Sequence, residues 1–122
     1  MVKRQILIIE GDVIHSERLK SNLEVENYNV DVVYHGIDAI MILKRKWVDL
    51  IISSITLQGT MNGIQLLQEL KKHKDFSNIP VIIQTSKVNL EKNIYDIGAT
   101  LFVAKPYDIN DFIKKIKKLL PD

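Results

Sequence analysis

The stretch Asp49–Gly63, DLIISSITLQGTMNG, decides the fold. Its apolar run Leu50–Ile52 predicts a short strand that is buried on both faces, as in a parallel sheet. The glycine-containing segment Gln58–Gly63 predicts a loop. The strand therefore ends near Ser53 and Ser54, at the edge of a parallel α/β sheet where ligands and chemistry are found.

The chain has 122 residues, of which 46% are hydrophobic and 26% are charged. This length and composition predict one globular domain over residues 1–122. There is no cysteine, which excludes disulfides and thiolate sites and fits a reducing compartment. The start lacks a signal-peptide pattern, and no apolar run reaches the roughly 18 residues of a membrane span. We therefore expect a cytoplasmic protein without a membrane partner.

Strand patterns alternate with helical patterns along the whole chain. Strands are predicted at Gln5–Ile9, Val30–Tyr34, the stretch that ends near Ser54, Val81–Gln84 and Leu101–Ala104. Five strands alternating with five helices predict an α/β fold, namely a doubly wound five-stranded parallel sheet with helices on both faces. Right-handed crossovers are expected between successive strands.

Each helix is predicted to bury one stripe of apolar side chains. The stripes include Ile14, Leu19 and Leu23 in the first helix and Ala39, Ile40, Leu43 and Trp47 in the second. In the last helix, lysines at 114, 115, 117 and 118 are interleaved with apolar residues, and the net charge of the chain is +2. The lysines predict the wet face of an amphipathic helix rather than a nucleic-acid surface, because interleaved aromatic residues and a binding motif are missing.

Polar residues cluster where four of the predicted strands end. Glu10 and Asp12 follow the first strand, Ser54 ends the third, Thr85 follows the fourth and Lys105 follows the fifth. Because the carboxyl ends of parallel strands share one edge, these side chains are expected close together. Carboxylates, hydroxyls and an ammonium group in one place suit an oxyanion or a hard cation.

Five motifs resemble the receiver domains of bacterial two-component response regulators, of the chemotaxis single-domain type. They are Ile6–Asp12, similar to the first strand with its acidic pair; Asp49–Ser54, similar to the strand that ends in the phospho-accepting Asp; Leu57–Gly63, similar to the L-P-G-M-D-G loop with one extra residue; Pro80–Ser86, similar to the fourth strand with its switch Thr/Ser; and Gly98–Tyr107, similar to the G-A-x-x-Y-x-x-K-P-F block. The motifs follow the family's order over essentially the whole chain. The resemblance implies the flavodoxin-like strand order 2-1-3-4-5 and a signalling module rather than an enzyme.

The resemblance also implies roles for individual residues. In that family an Asp, assisted by Mg²⁺, accepts a phosphoryl group from a histidine kinase. Glu10 matches the first acid, Thr85 the switch hydroxyl, Phe102 the switch aromatic and Lys105 the phosphate-binding lysine, and the peptide bond before Pro106 is expected to be cis. Structural roles stay open beside these: an ion pair between Lys105 and Glu10, a backbone hydrogen bond from Thr85, and a core position for Phe102.

Two positions depart from the family pattern. Ser54 stands at the phospho-acceptor position and Gly11 at the second acid. Protein sites for Mg²⁺ usually combine one or two carboxylates with phosphate oxygens. We therefore expect no cofactor, or at most a weak or vestigial Mg²⁺ site at Glu10 and Asp12, where Asp12 either replaces the missing acid or caps the first helix.

Ser54 is predicted to be a poor nucleophile, because a serine hydroxyl needs an adjacent base. The three histidines, His15, His35 and His73, fall on helices or helix edges and are expected at the surface. The sequence therefore offers no base for Ser54.

Three functions remain in competition. The leading hypothesis is a phosphorylation-independent receiver-like module that binds a signalling protein, either a histidine kinase or a downstream effector. The binding face would be the fourth helix, fifth strand and fifth helix, which would also serve a homodimer. The first alternative is a conventional phosphorelay regulator that is modified at or near Ser54. The second is a small-molecule-binding domain, such as a flavin protein, on the same flavodoxin-like fold.

Overall fold

Short runs of branched apolar residues form the strands, and amphipathic segments between them form the helices. The computed structural model describes residues 2–121. Its strands are β1 (Gln5–Ile9), β2 (Asn29–Val33), β3 (Leu50–Ser54), β4 (Val81–Thr85) and β5 (Leu101–Ala104). Its helices are α1 (Val13–Val25), α2 (Gly36–Leu43), α3 (Gly63–Lys72), α4 (Glu91–Ile97) and α5 (Ile109–Leu119). β2 lies one residue earlier than predicted, and β4 extends to Thr85.

The strands form one parallel sheet in the order β2-β1-β3-β4-β5. This order confirms the predicted doubly wound α/β fold with the flavodoxin-like order 2-1-3-4-5. Ile8 of β1 pairs with Ile52 of β3, and Ile52 pairs with Ile82 of β4. Because this register is level across the central strands, their carboxyl ends lie side by side.

Alternation of side chains along the strands divides the core into two layers. Leu7, Ile51 and Ile83 point to one face of the sheet, where they pack with residues of α2, α3 and α4. Ile8 and Ile52 point to the other face, where they pack with residues of α1 and α5. The face to which each strand-end residue points therefore follows from its position in this alternation.

Polar caps fix where α1 and α3 begin. The Asp12 carboxylate accepts a hydrogen bond from the backbone N–H of His15 at 3.1 Å, and Asn62 and Gln65 form a reciprocal capping box. α4 ends at Ile97 and is capped by Gly98, whose φ of 126° is a conformation that favours glycine. Within residues 2–121, no helix combines the length and the apolar content that a membrane crossing needs.

Two positions in the predicted helical stripes are wrong. Ile14 is 75% exposed and Trp47 is 70% exposed. Ile14 lies five residues from the buried Leu19, about 140° around a helix that turns about 100° per residue. Helix α2 ends at Leu43, so helical spacing does not extend to Trp47. The Trp47 indole N–H instead donates to the Asp49 carboxylate at 2.7 Å.

Candidate functional site

Four polar side chains converge at the carboxyl edge of the sheet, on the face that carries α1 and α5. Glu10 continues the alternation of Ile6 and Ile8, and Ser54 continues that of Leu50 and Ile52. By the same rule Gln84 follows Ile82, and Lys105 follows Val103. The level register of the parallel strands then brings the four side chains together.

Glu10 lies at the centre of this cluster and is 3% exposed. Its Oε1 atom accepts hydrogen bonds from Lys105 Nζ at 2.5 Å, from Gln84 Nε2 at 3.3 Å and from the Ser54 hydroxyl. Its Oε2 atom accepts the backbone N–H of Asp12 at 3.0 Å. Both carboxylate oxygens are therefore already hydrogen-bonded within the protein, which is what a buried charge requires.

Ser54 is 2% exposed, and its hydroxyl lies between the Glu10 carboxylate and the Lys105 ammonium. The hydroxyl donates to Glu10 and accepts from Lys105 Nζ at 2.9 Å. The expectation that Ser54 has no adjacent base is wrong, because the structure places the Glu10 carboxylate against its hydroxyl. The two residues lie 44 positions apart, so no local sequence pattern indicates this contact. That carboxylate is neutralised by the Lys105 ammonium at 2.5 Å, so the arrangement favours a closed ion pair over an activated nucleophile.

The cluster does not fit a magnesium ion. Among residues 2–121 no group of three or more His, Cys, Asp or Glu side chains is placed to hold a metal. The Lys105 ammonium lies 2.5 Å from Glu10 Oε1 and already supplies the positive charge next to this carboxylate. Asp12 is exposed and uses its carboxylate as the N-cap of α1. Oε1 of Glu10 accepts three hydrogen bonds and Oε2 accepts one, which leaves too little of the carboxylate for the octahedral oxygen shell that Mg²⁺ demands.

Thr85 and Phe102, the two residues matched to switch positions, point to the opposite face of the sheet from Ser54. Thr85 is buried, and its hydroxyl accepts the backbone N–H of Lys87 at 3.1 Å. Phe102 is partly buried and packs on the α2–α4 side of the core, while its backbone N–H donates to the Tyr95 hydroxyl at 2.9 Å. These contacts fit the structural roles that the sequence left open, namely a backbone hydrogen bond for Thr85 and a core position for Phe102. The Lys105–Pro106 peptide bond is cis, as expected.

Two further residues, Tyr107 and His15, extend the cluster from Gln84. The Tyr107 hydroxyl donates to Gln84 Oε1 at 2.7 Å and lies 3.1 Å from His15 Nε2. His15 Nε2 is also 3.4 Å from Gln84 Oε1 and 3.9 Å from Glu10 Oε1. The expectation that His15 is a surface residue is therefore wrong, since its side chain is only 28% exposed. A glutamine inside the otherwise apolar run of β4 was the signal that could have revealed this network.

Burial raises the pKa of the Tyr107 phenol above its usual value, and the nearby Glu10 charge adds to the rise. The phenol therefore stays protonated at neutral pH and can keep donating to Gln84. Hydrogen bonds consequently run from His15 through Tyr107 and Gln84 to Glu10 without a second negative charge among them.

The loop between β3 and α3 closes over the start of α1. The Gln58 side chain donates to the Gly11 carbonyl at 3.0 Å, and the Gln58 backbone N–H donates to the Tyr34 carbonyl at 2.9 Å. A Cβ atom at Gly11 would lie 3.1 Å from the Thr56 carbonyl oxygen. Any larger residue at this position therefore requires the loop to move by a few tenths of an ångström.

Comparison with known proteins agrees with this architecture. The model of the response regulator receiver domain family matches residues 6–117. A probable transcriptional regulator, ycf29, from Pyropia yezoensis is 33% identical over 118 residues, which cover 95% of this chain and 53% of that protein. The chain thus spans about half the length of the curated relatives it matches.

Two solved structures are similar over nearly the whole chain. The receiver domain of a signal transduction histidine kinase from Syntrophus aciditrophicus is 33% identical, with a TM-score of 0.87 over 96% of this chain and 89% of that one. The receiver domain of sensor histidine kinase PA1611 from Pseudomonas aeruginosa, with magnesium coordinated in its active site cleft, has a TM-score of 0.88 at 20% identity over 99% and 100%. The family match, the fold and these relatives show that the chain belongs to the response regulator receiver domain family.

Proposed function

We propose that this receiver domain works without phosphorylation and acts by binding a protein partner. The observation that carries the proposal is the closed cluster around Glu10. Where a receiver needs a carboxylate that can attack a phosphoryl group, this chain has the Ser54 hydroxyl, which is 2% exposed and engaged with both Glu10 and Lys105. The phosphate-binding lysine is already paired with an internal carboxylate.

The alternative of modification at Ser54 is disfavoured by burial. A serine protein kinase must draw its substrate hydroxyl out of the surface, whereas Ser54 ends the central strand β3. A phosphoserine would also add about two negative charges next to the buried Glu10, which like-charge repulsion disfavours. Flavin binding is disfavoured because the Asp12 backbone N–H, which a phosphate would need, is directed at Glu10.

Intact-mass measurement with a small phosphoryl donor and Mg²⁺ tests the first half of the proposal. The natural chain is expected to gain no phosphoryl group, and a Ser54→Asp variant to gain one. A Gly11→Asp, Ser54→Asp double variant serves as a second restored form. The single Ser54→Asp variant is tested beside it because Gly11 is tightly placed, and a side chain there would strain the loop. A phosphoryl group on the natural protein contradicts the proposal.

The proposed partner face consists of α4, β5 and α5. It carries the partly exposed Phe102 and Tyr95 together with exposed lysines of α5. Affinity capture with the natural chain, followed by capture with Phe102→Ala and Lys115→Glu, tests it. Both variants are expected to lose the captured protein, and Lys72→Glu on α3, an exposed lysine on another helix, is expected to retain it. Retention by all variants excludes this face.

The partner proposed is a histidine kinase or a downstream effector, and a second copy of the chain is the proposed alternative use of the same face. Sedimentation velocity over a range of protein concentrations separates the two. A concentration-dependent dimer that Lys115→Glu abolishes assigns the face to self-association. A monomer at all concentrations leaves it to a different protein.

A further inference from the structure

A cavity of about 470 Å³ lies between α1 and the segment that joins β5 to α5. This volume falls within the range of small-molecule sites in proteins, roughly 300–1,000 Å³. The cavity opens beside Lys105 and the hydrogen bonds that lead to Glu10, and it meets the proposed partner face at Ile109, the first residue of α5.

The polar side of the cavity is cationic. His15 and Arg18 line it from one turn of α1, and Lys105 lines it from the end of β5. No acidic side chain lines it within residues 2–121. Lys105 is paired with Glu10, but in the same part of the chain no carboxylate lies within ion-pair distance of the exposed Arg18 guanidinium.

The other walls are apolar. Leu19, Pro106 and Ile109 line the cavity together with the ring of Tyr107. The Tyr107 ring is held from behind by an edge-on contact with Phe112, with ring centroids 4.5 Å apart. A flat apolar group could stack in this space while an attached acidic group reached Arg18.

His15 lines the cavity beside Arg18, and its ring belongs to the hydrogen-bond network that leads to Glu10. Its Nε2 atom faces the Tyr107 hydroxyl oxygen and Gln84 Oε1. The proton of Tyr107 goes to Gln84, so both neighbours act as acceptors and Nε2 must carry a hydrogen. A ligand that displaces the His15 ring would therefore disturb the hydrogen bonds that reach Gln84.

We propose that this groove binds a small aromatic or alicyclic carboxylate, with its acidic group at Arg18 and its apolar body against Leu19, Ile109 and the Tyr107 ring. The ligand would reach Glu10 through Tyr107 and Gln84 and would give the domain an input that needs no phosphoryl group. The inference goes beyond the proposed function and does not depend on it, because phosphorylation of the natural chain would leave the groove unaffected.

Titration with 1-naphthoate, followed by two-dimensional amide NMR, tests the proposal. Saturable shifts are expected at His15, Arg18 and Tyr107, and also at the side-chain amide of Gln84, which is fully buried and can respond only through its neighbours. The neutral analogue 1-naphthylmethanol is expected to bind at least tenfold more weakly, since a hydrogen bond to a charged group contributes about 1.5–3 kcal/mol.

Variants separate specific binding from surface attraction. Arg18→Gln removes the unpaired cation on an exposed position and is expected to weaken 1-naphthoate at least tenfold. Arg45→Gln removes an exposed arginine elsewhere and is expected to leave the affinity unchanged. The proposal is overturned by unsaturable shifts spread over the surface, by unchanged affinity in Arg18→Gln, or by a short acidic peptide that shifts these residues when 1-naphthoate does not.

Discussion

Glu10 is a buried carboxylate whose one close ion-pair partner among the lysines of the described chain is Lys105. The carboxylate is 3% exposed and the lysine side chain 24%, so solvent screens their attraction only weakly. The ammonium comes from a position 95 residues away in sequence. The pair is consequently a tertiary contact, and its loss would leave a buried negative charge.

Lys105→Met is expected to lower the free energy of unfolding by about 3 kcal/mol. This value is the lower end for a broken buried ion pair, because Ser54, Gln84 and the Asp12 N–H still donate to Glu10. Adding Glu10→Gln to this variant is expected to recover much of the loss, since no charge is then left unpaired. Urea denaturation measures both. Lys92→Met, which breaks an exposed pair with Asp96, is the control, with an expected change of less than about 1 kcal/mol. Equal losses for Lys92 and Lys105 would contradict the interpretation.

Tyr107 links stability to alkaline pH. Its pKa in the folded chain is raised by burial and by Glu10, so above the usual tyrosine range the unfolded chain releases this proton while the folded chain keeps it. The stabilising contribution is therefore fully present below that range and is lost as pH rises from it to the raised pKa of Tyr107 in the folded chain. The urea midpoint is expected to fall less steeply above about pH 10 in Tyr107→Phe than in the natural chain. Parallel pH profiles would show that the phenol does not contribute to this linkage.

At the scale of elements, the contact between β3 and α3 depends on a glycine. Gly63 begins α3, and its backbone N–H donates to the Ile55 carbonyl at 2.7 Å. A Cβ atom there would lie 2.0 Å from the Ser54 carbonyl oxygen and 2.8 Å from the Ile55 Cα, and neither backbone atom can move freely. The close approach of helix and strand also holds Ser54 in place.

Gly63→Ala is therefore expected to destabilise the protein by about 3 kcal/mol or more, as overpacking against backbone does. Gly36, which begins α2, is the matched control. Its added Cβ would meet the Met61 Sδ atom at 2.6 Å, and this flexible side chain can turn away. Gly36→Ala is expected to change stability by less than about 1 kcal/mol, partly because alanine favours helix. Thermal unfolding compares the two, and a tolerated Gly63→Ala would disprove the close packing.

For the molecule as a whole, the closed cluster predicts indifference to magnesium. A ligand that binds only the folded state raises the unfolding temperature according to its concentration and affinity. Millimolar Mg²⁺ is therefore expected to leave the melting temperature of the natural chain unchanged and to raise that of the Gly11→Asp, Ser54→Asp variant. Sodium chloride at matched ionic strength is the control. A magnesium-specific rise in the natural chain would show that Lys105 leaves Glu10 when the metal arrives.

Local sequence patterns determined the architecture of this protein. Alternating strand and helix patterns predicted five strands and five helices, because burial of apolar residues on both faces of a parallel sheet leaves a recognisable pattern. The stripe of α5 was predicted correctly, since Phe112, Ile113 and Ile116 are buried. From the motifs, Ser54 and Gly11 are also predicted to stand where the family has acidic residues. The prediction failed at Ile14 and Trp47, where the helix geometry and the helix end, rather than hydrophobicity, decide exposure.

Only the tertiary structure decided how the polar residues of the site are paired. Lys105 meets Glu10 across 95 residues of sequence, and Tyr107 meets His15 across 92. Local patterns cannot specify such pairs, because the partners are set by the register of four strands and by the packing of α1 against the segment before α5. The resemblance predicts that two acids are absent from this site, whereas the fold shows that the Glu10 carboxylate is already bonded to the protein's own lysine, serine and glutamine.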